Sequence, residues 1–419
     1  MPSLSIRDAV RVAWAKAVNH LGAEAFRREL AAAEPIPDDG VAVFFGVGPE
    51  NNYQFDQWSR PLQSVSKRRP VFCIVDRPDT GRYLRRTCGL PVALARGSGE
   101  LEVLIERHRV RAVLYVNQVE PNFRVMRFAD PVHIQLGHGE SDKGGSVSNQ
   151  HKAYDYTFVA GEAGRLRLAE ALYDFDAQTR VKPVGRPQLD YAYPGAPAWP
   201  RDGRIRVLYA PTWEGDRPSS RYSSVLTHGA AIVASLRADP RVRIIYRPHP
   251  RTGKVLAGHG EADRAIRAQL AADGGRHLVD TGSYGWQWSF ADRCVTDISA
   301  VAYDWLATTK PLLITEPAQE VYRPPSRLLE TLPLLPADRA GEAARLLLDT
   351  PAAPQLAALA EHYFGDTRDG ASTRRFEDAL NEVIADRERA IRSGHRPRRK
   401  STSSSGAFGR PTRRPVPRD

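Results

Sequence analysis

The stretch Pro131-Val-His-Ile-Gln-Leu-Gly-His-Gly-Glu-Ser-Asp-Lys-Gly-Gly145 governs how the whole chain is read. Its apolar run ends in Leu136 and has the character of a strand. The run breaks at Gly137, and His138 follows between two glycines. A histidine in that position packs poorly but suits chemistry. Glycine lets backbone and ligand approach closely, and open α/β sheets bind ligands beyond the carboxyl ends of their strands. The plain alternative is a turn carrying a solvated histidine.

The same pattern recurs on either side. Val41–Phe45, Val71–Val75, Arg111–Val116 and Tyr156–Ala160 read as buried strands, with helical stretches near 52–66 and 100–109. Gly46-Val-Gly48 after the first of them is a bare GxG, too weak to imply a dinucleotide site. Strands alternating with helices predict a parallel sheet covered on both faces. Between 183 and 204 the alternation is interrupted by Pro183, Gly185, Pro187, Pro194, Gly195, Pro197 and Pro200. It then restarts, with strands at 206–209, 242–246, 277–279, 294–296 and 312–314 and helices at 223–238, 259–273 and 300–308. The predicted fold class is α/β, with two doubly wound, Rossmann-like domains facing a cleft. The expected divisions are a helical segment 1–35, a first domain 36–183, a linker 184–204, a second domain 205–386 and a basic tail 387–419.

Composition narrows the class. The chain has 419 residues, enough for two or three domains. Mean hydropathy is −0.45, and the sequence contains no apolar run long enough to span a bilayer. The N-terminus lacks a continuous apolar core of the secretory kind. Cys73, Cys88 and Cys294 are widely spaced and form no CxxC, which argues against a disulfide framework or structural zinc and fits a reducing cytoplasm. Net charge is +11, but residues 387–419 hold 11 basic and 2 acidic side chains, leaving +2 for residues 1–386. The basicity belongs to the tail and does not imply a nucleic-acid partner. A tail rich in Ser, Gly, Pro and Arg is expected to be disordered and suited to contact with anionic lipid. Residues 5–32 carry apolar side chains at helical spacing, either packed on their own domain or lying on an anionic membrane surface.

Four further clusters fall at strand ends or helix starts. Tyr209-Ala-Pro-Thr212-Trp-Glu214 is a turn with a hydroxyl. Arg247-Pro-His249-Pro-Arg251 holds a histidine rigidly between prolines and arginines, a set that suits an anion because Arg offers forked donors to phosphate. In Thr296-Asp-Ile-Ser-Ala-Val-Ala-Tyr-Asp304, Ser299 lies near a helix start, where free N–H groups favour phosphate, and Asp297 could be an N-cap. Asp369-Gly-Ala-Ser-Thr-Arg374 precedes the last helical segment.

Together and in this order, His138-Gly139, Tyr209–Thr212, Arg247–Pro250, Thr296–Asp304 and Asp369–Arg374 resemble the CDP-glycerol glycerophosphotransferases that build teichoic-acid-type polymers. The resemblance covers roughly 110–385. It departs at Gly137-His-Gly-Glu140, where the family has Trp-His-Gly-Thr, and at Lys143, which stands in place of a basic pair. Ala300 replaces a serine, and one residue is missing after Gly370. The resemblance implies a glycosyltransferase-B-like fold. It also implies transfer of glycerol phosphate, or a related polyol phosphate, from CDP-glycerol to the hydroxyl of a lipid-linked or glycan polymer acceptor, releasing CMP. A neutral hydroxyl needs a base, and His138 is assigned that role. His249, Arg247, Arg251 and Ser299 are assigned to the phosphoryl charge. Gly139, Lys143, Thr212, Asp297 and Asp304 complete the expected substrate contacts. No cofactor and no metal cage are expected, and the expected location is the cytoplasmic face of a membrane, held peripherally. The alternative is a glycosyltransferase of the same fold using a nucleotide sugar.

Overall fold

The computed structural model describes residues 21–142, 147–200, 202–318, 321, 326–349 and 351–394. Residues 1–20, Lys143 and the tail from 395 therefore lie outside the described residues. Two parallel sheets make up the molecule. The first contains β1 (Val41–Phe45), β2 (Val71–Val75), β3 (Val92–Leu94), β4 (Ala112–Tyr115), β5 (Val132–Gln135), β6 (Tyr156–Val159) and β7 (Val181–Pro183), in the order β3-β2-β1-β4-β5-β6-β7. The second contains β8 (Ile205–Ala210), β9 (Val242–Tyr246), β10 (Leu278–Val279), β11 (Arg293–Thr296), β12 (Leu312–Thr315) and β13 (Leu334–Leu335), in the order β10-β9-β8-β11-β12-β13. Both orders reverse between the first and fourth strands, the doubly wound arrangement.

The central strands of the first sheet, β1 and β2, are apolar throughout because helices cover both faces. Val41–Phe45 and Val71–Val75 are buried at every position, and each β1 residue pairs in register with β2. Three short edge strands carry too little pattern to be read from sequence. These are β3, β7 and β13, and β7 ends in Pro183, which can give no ladder N–H. The helix expected over 223–238 begins only at Gly229. The residues before it are used otherwise, since the Ser223 hydroxyl donates to the Thr212 carbonyl and the Ser224 N–H to Asp297.

The last helix corrects the expected division at 386. Ala371–Arg392 is continuous, so residues 387–392 belong to it rather than to a tail. Its apolar face carries Phe376, Leu380, Val383 and Ile384, which join Val43, Phe45 and Leu114 in the core of the first domain. The chain thus returns from the second domain to the first. At the other end residues 21–31 are helical, and Phe26 is buried in that same core.

Candidate active site

The carboxyl ends of the two sheets face each other across a cleft of about 740 Å³. His138 and Gly139 follow β5, and Asn117 and Gln118 follow β4. From the second sheet Thr212 and Trp213 follow β8, Arg247 and His249 follow β9, and Ser299 follows β11. Gly139 faces the second domain so closely that a Cβ there would lie 2.8 Å from that of Ala300. Seven of the expected residues line this cleft: His138, Gly139, Thr212, Arg247, His249, Ser299 and Asp304.

Tyr53, which sequence reasoning missed, joins the two histidines. Its ring meets His138 edge-on at 5.9 Å and His249 at 5.4 Å. On the far side of His249 the Trp213 ring stacks at 6.1 Å, and the Arg251 guanidinium lies 3.8 Å over Trp213. Arg251 therefore stands in a stacked column behind Trp213 rather than at the cleft wall. The Arg251 N–H donates to His249 Nδ1 at 3.1 Å, so the neutral ring carries its proton on Nε2.

His138 differs from the base poised near neutrality that its chemistry suggests. Burial, with the nearby Arg186 charge adding to it, pushes its pKa down to about 4 against a hydrogen bond to the Val116 backbone. The ring is neutral throughout the physiological range and able to accept a proton, but it is a weaker base than free imidazole.

Arg186, inside the expected linker, is buried and organises the cleft floor. It donates to both carboxylate oxygens of Asp304 at 2.8 and 3.1 Å, to the His138 carbonyl at 3.1 Å and to Gln57 at 3.0 Å. The Tyr284 hydroxyl donates to the same Asp304 at 2.6 Å. Both oxygens of Asp304 are thus occupied, which corrects its expected role as a substrate contact. Asp297 is corrected more fully. It is buried away from the cleft and accepts from the Thr212 and Ser224 N–H groups and the Thr315 hydroxyl. Burial raises its pKa while these donors oppose the rise. Its role is to fix the loop that presents Thr212.

Glu214 does the same for the histidine loop of the second domain, accepting from the N–H groups of Gly253, Val255 and Leu256 at 2.9–3.2 Å. Burial would raise its pKa, but the backbone donors prevail and hold it below the usual range. Arg247 is restrained by Asp280 at 2.6 Å and by the Gly282 carbonyl. In the first domain, Arg167 ties Glu140 and Asp142 together behind the His138 turn. Among the described residues no group of three His, Cys, Asp or Glu side chains is arranged to hold a metal ion.

The missed residues are Tyr53, Gln54, Asn117, Gln118, Arg186 and Tyr284. Tyr53 and Gln54 had a local signal, because they open the helix after the Gly46-Val-Gly48 turn. Arg186 had none, since its partners come from three distant segments.

A sequence profile described as CDP-Glycerol:Poly(glycerophosphate) glycerophosphotransferase matches residues 128–347, just over half of the chain. No curated protein sequence matches it. Among solved structures, the wall teichoic acid polymerase TagF aligns over 90% of this chain and 98% of its own, with a TM-score of 0.51 and 13% identity. A TagF structure soaked with CDPG aligns over 90% of this chain and 98% of its own, with a TM-score of 0.53 and 12% identity. The UDP-GlcNAc 2-epimerase of Neisseria meningitidis, bound to UDP-GlcNAc, aligns over 82% of this chain and 100% of its own, with a TM-score of 0.53 and 12% identity. At these identities the likenesses concern the fold, two glycosyltransferase-B-like domains.

Proposed function

The chain belongs to the CDP-glycerol:poly(glycerophosphate) glycerophosphotransferase family, and we propose that it transfers glycerol phosphate from CDP-glycerol to an acceptor hydroxyl, releasing CMP, in the synthesis of a teichoic-acid-like polymer. One observation carries this reading: two histidines from opposite domains flank a single tyrosine ring in the interdomain cleft.

In this mechanism neutral His138 takes the proton of the attacking hydroxyl. The new O–P bond forms at the phosphorus bearing glycerol, and the P–O bond to CMP breaks. Charge gathers on the phosphoryl oxygens, and His249 Nε2–H, Arg247 and the Ser299 hydroxyl supply donors from the second domain. Thr212 and the Trp213–Arg251 column serve the nucleotide. The low proton affinity of His138 is set by burial, and the Arg186 charge beside it adds to the effect. A pyrophosphate in the cleft opposes that charge and raises the affinity toward neutrality, which links base strength to donor binding. Among the described residues no helix is long and apolar enough to cross a membrane. The basic residues beyond 395 provide a peripheral contact with an anionic membrane surface, suited to a lipid-linked acceptor.

The second reading, a glycosyltransferase using a nucleotide sugar, is favoured only by the fold likeness to the epimerase. The nucleotide released separates the two. CMP from CDP-glycerol supports the proposal; UDP or GDP from a nucleotide sugar, with no CMP, refutes it.

A further inference from the structure

The second domain holds a separate cavity of about 180 Å³ that shares no lining residue with the interdomain cleft. Arg221, Leu226 and Thr227 line it from the connection after β8. Leu256 and His259 line it from the start of the helix Ala257–Ala271, which follows β9. These are the same two connections that present Thr212 and His249 to the cleft. Arg221 is half-buried, and its Nε is closed off from solvent with no hydrogen-bond partner; His259 Nδ1 is in the same state. Among the described residues no carboxylate pairs with the Arg221 guanidinium. The two side chains feel each other, since burial pushes the His259 pKa down and the Arg221 charge adds to it, against the pull of Glu214 and Asp297. Both of those carboxylates are engaged elsewhere, Glu214 by three backbone N–H groups and Asp297 by Thr212, Ser224 and Thr315. A guanidinium nitrogen only donates. What Arg221 lacks is therefore an acceptor, and buried donors seldom go without one.

We propose that this cavity binds a phosphate group, free or carried on a small organic molecule, between Arg221 and His259. The guanidinium offers forked donors that match phosphate oxygens, and the imidazole adds one more. Leu226, 52% exposed at the rim, and Leu256 give an apolar seat for the carbon part of an organic phosphate. A phosphate held there bridges the connection after β8 to the connection after β9. It thereby ties together the loops that carry Thr212 and His249 without entering the cleft.

The test titrates inorganic phosphate, propyl phosphate and propanol into the full chain by calorimetry. Both phosphates should bind and propanol should not. Equal affinity for the two phosphates supports a site for the free ion; tighter binding of propyl phosphate supports one for an organic phosphate seated on Leu226. Arg221→Gln should weaken phosphate about 10–100-fold, as loss of a hydrogen bond to a charged group does, and Arg221→Lys should weaken it less. Arg221 has no partner to lose, so Arg221→Gln should keep the wild-type urea midpoint. If that midpoint falls, His259→Asn reads the same site and should also weaken phosphate. Binding should persist in His249→Ala, because the cleft is not the site. Phosphate affinity unchanged in Arg221→Gln, or lost in His249→Ala, would overturn the proposal. So would the absence of phosphate binding by wild type at millimolar concentration.

Discussion

Replacing Asp304 with alanine should destabilise the protein by about 3–5 kcal/mol, the usual loss when one partner of a buried pair is removed. Asp304 is 1% exposed and Arg186 4%, so solvent cannot replace what the substitution takes away. Three hydrogen bonds are lost, two from Arg186 at 2.8 and 3.1 Å and one from Tyr284 at 2.6 Å. Burial alone depresses the Arg186 pKa, and Asp304 overcomes that to hold it above the ordinary range. Without the carboxylate the guanidinium still keeps the His138 carbonyl and Gln57, which places the expected loss nearer about 3 kcal/mol. Urea unfolding measures it, since a midpoint shift at unchanged slope reports stability. The double variant Arg186→Met/Asp304→Leu should recover most of the loss, because apolar replacement of a whole buried pair is often neutral. An Asp304→Ala protein within about 0.5 kcal/mol of wild type, the range of an ordinary surface change, would refute the reasoning.

Stability should fall on acidification below pH 6.5. His138 and His277 are both pushed down to about 4, chiefly by burial. A depressed histidine favours folding fully above its unfolded pKa and progressively less toward its folded one, here between 6.5 and 4, by at most about 3 kcal/mol for each; a flat urea midpoint over that window would contradict it. Gly139→Val should abolish CMP release while the protein still folds, since the new Cβ would lie 2.8 Å from that of Ala300; Ala300→Gly in the same chain should restore part of the rate. Glu214→Ala removes the acceptor for three backbone N–H groups and should cost about 2–4 kcal/mol. It should also raise the KM for CDP-glycerol by loosening the His249 loop, and an unchanged KM would show that the loop holds itself.

The strands that built the fold were readable where their patterns were long. Val41–Phe45, Val71–Val75 and Val242–Tyr246 sit in the interiors of their sheets and are apolar on both faces, apart from Arg243. The edge strands at 92–94 and 181–183 are three residues each and offer no period to read. Within the site, His138 and His249 stood out because glycine or proline brackets each of them. Asp297 and Asp304 looked like ligands by their place at a strand end and in the following helix. Their true partners, Thr315 for one and Arg186 for the other, come from strand neighbours and a distant loop that local sequence cannot bring together. The return of the last helix to the first domain was hidden for the same reason, because an amphipathic face does not name the sheet it covers.

The central claim is that His138 and His249 act on one phosphoryl group from opposite domains. The most direct test is single-turnover CMP release from CDP-glycerol by wild type, His138→Ala and His249→Ala, with donor binding measured in parallel. The account predicts that His138→Ala binds donor normally and loses about 10²–10⁴-fold in rate, as removal of a general base does. It predicts that His249→Ala loses rate as well. Wild-type rates in His138→Ala, with glycerol phosphate still transferred to acceptor and CMP released, would contradict it.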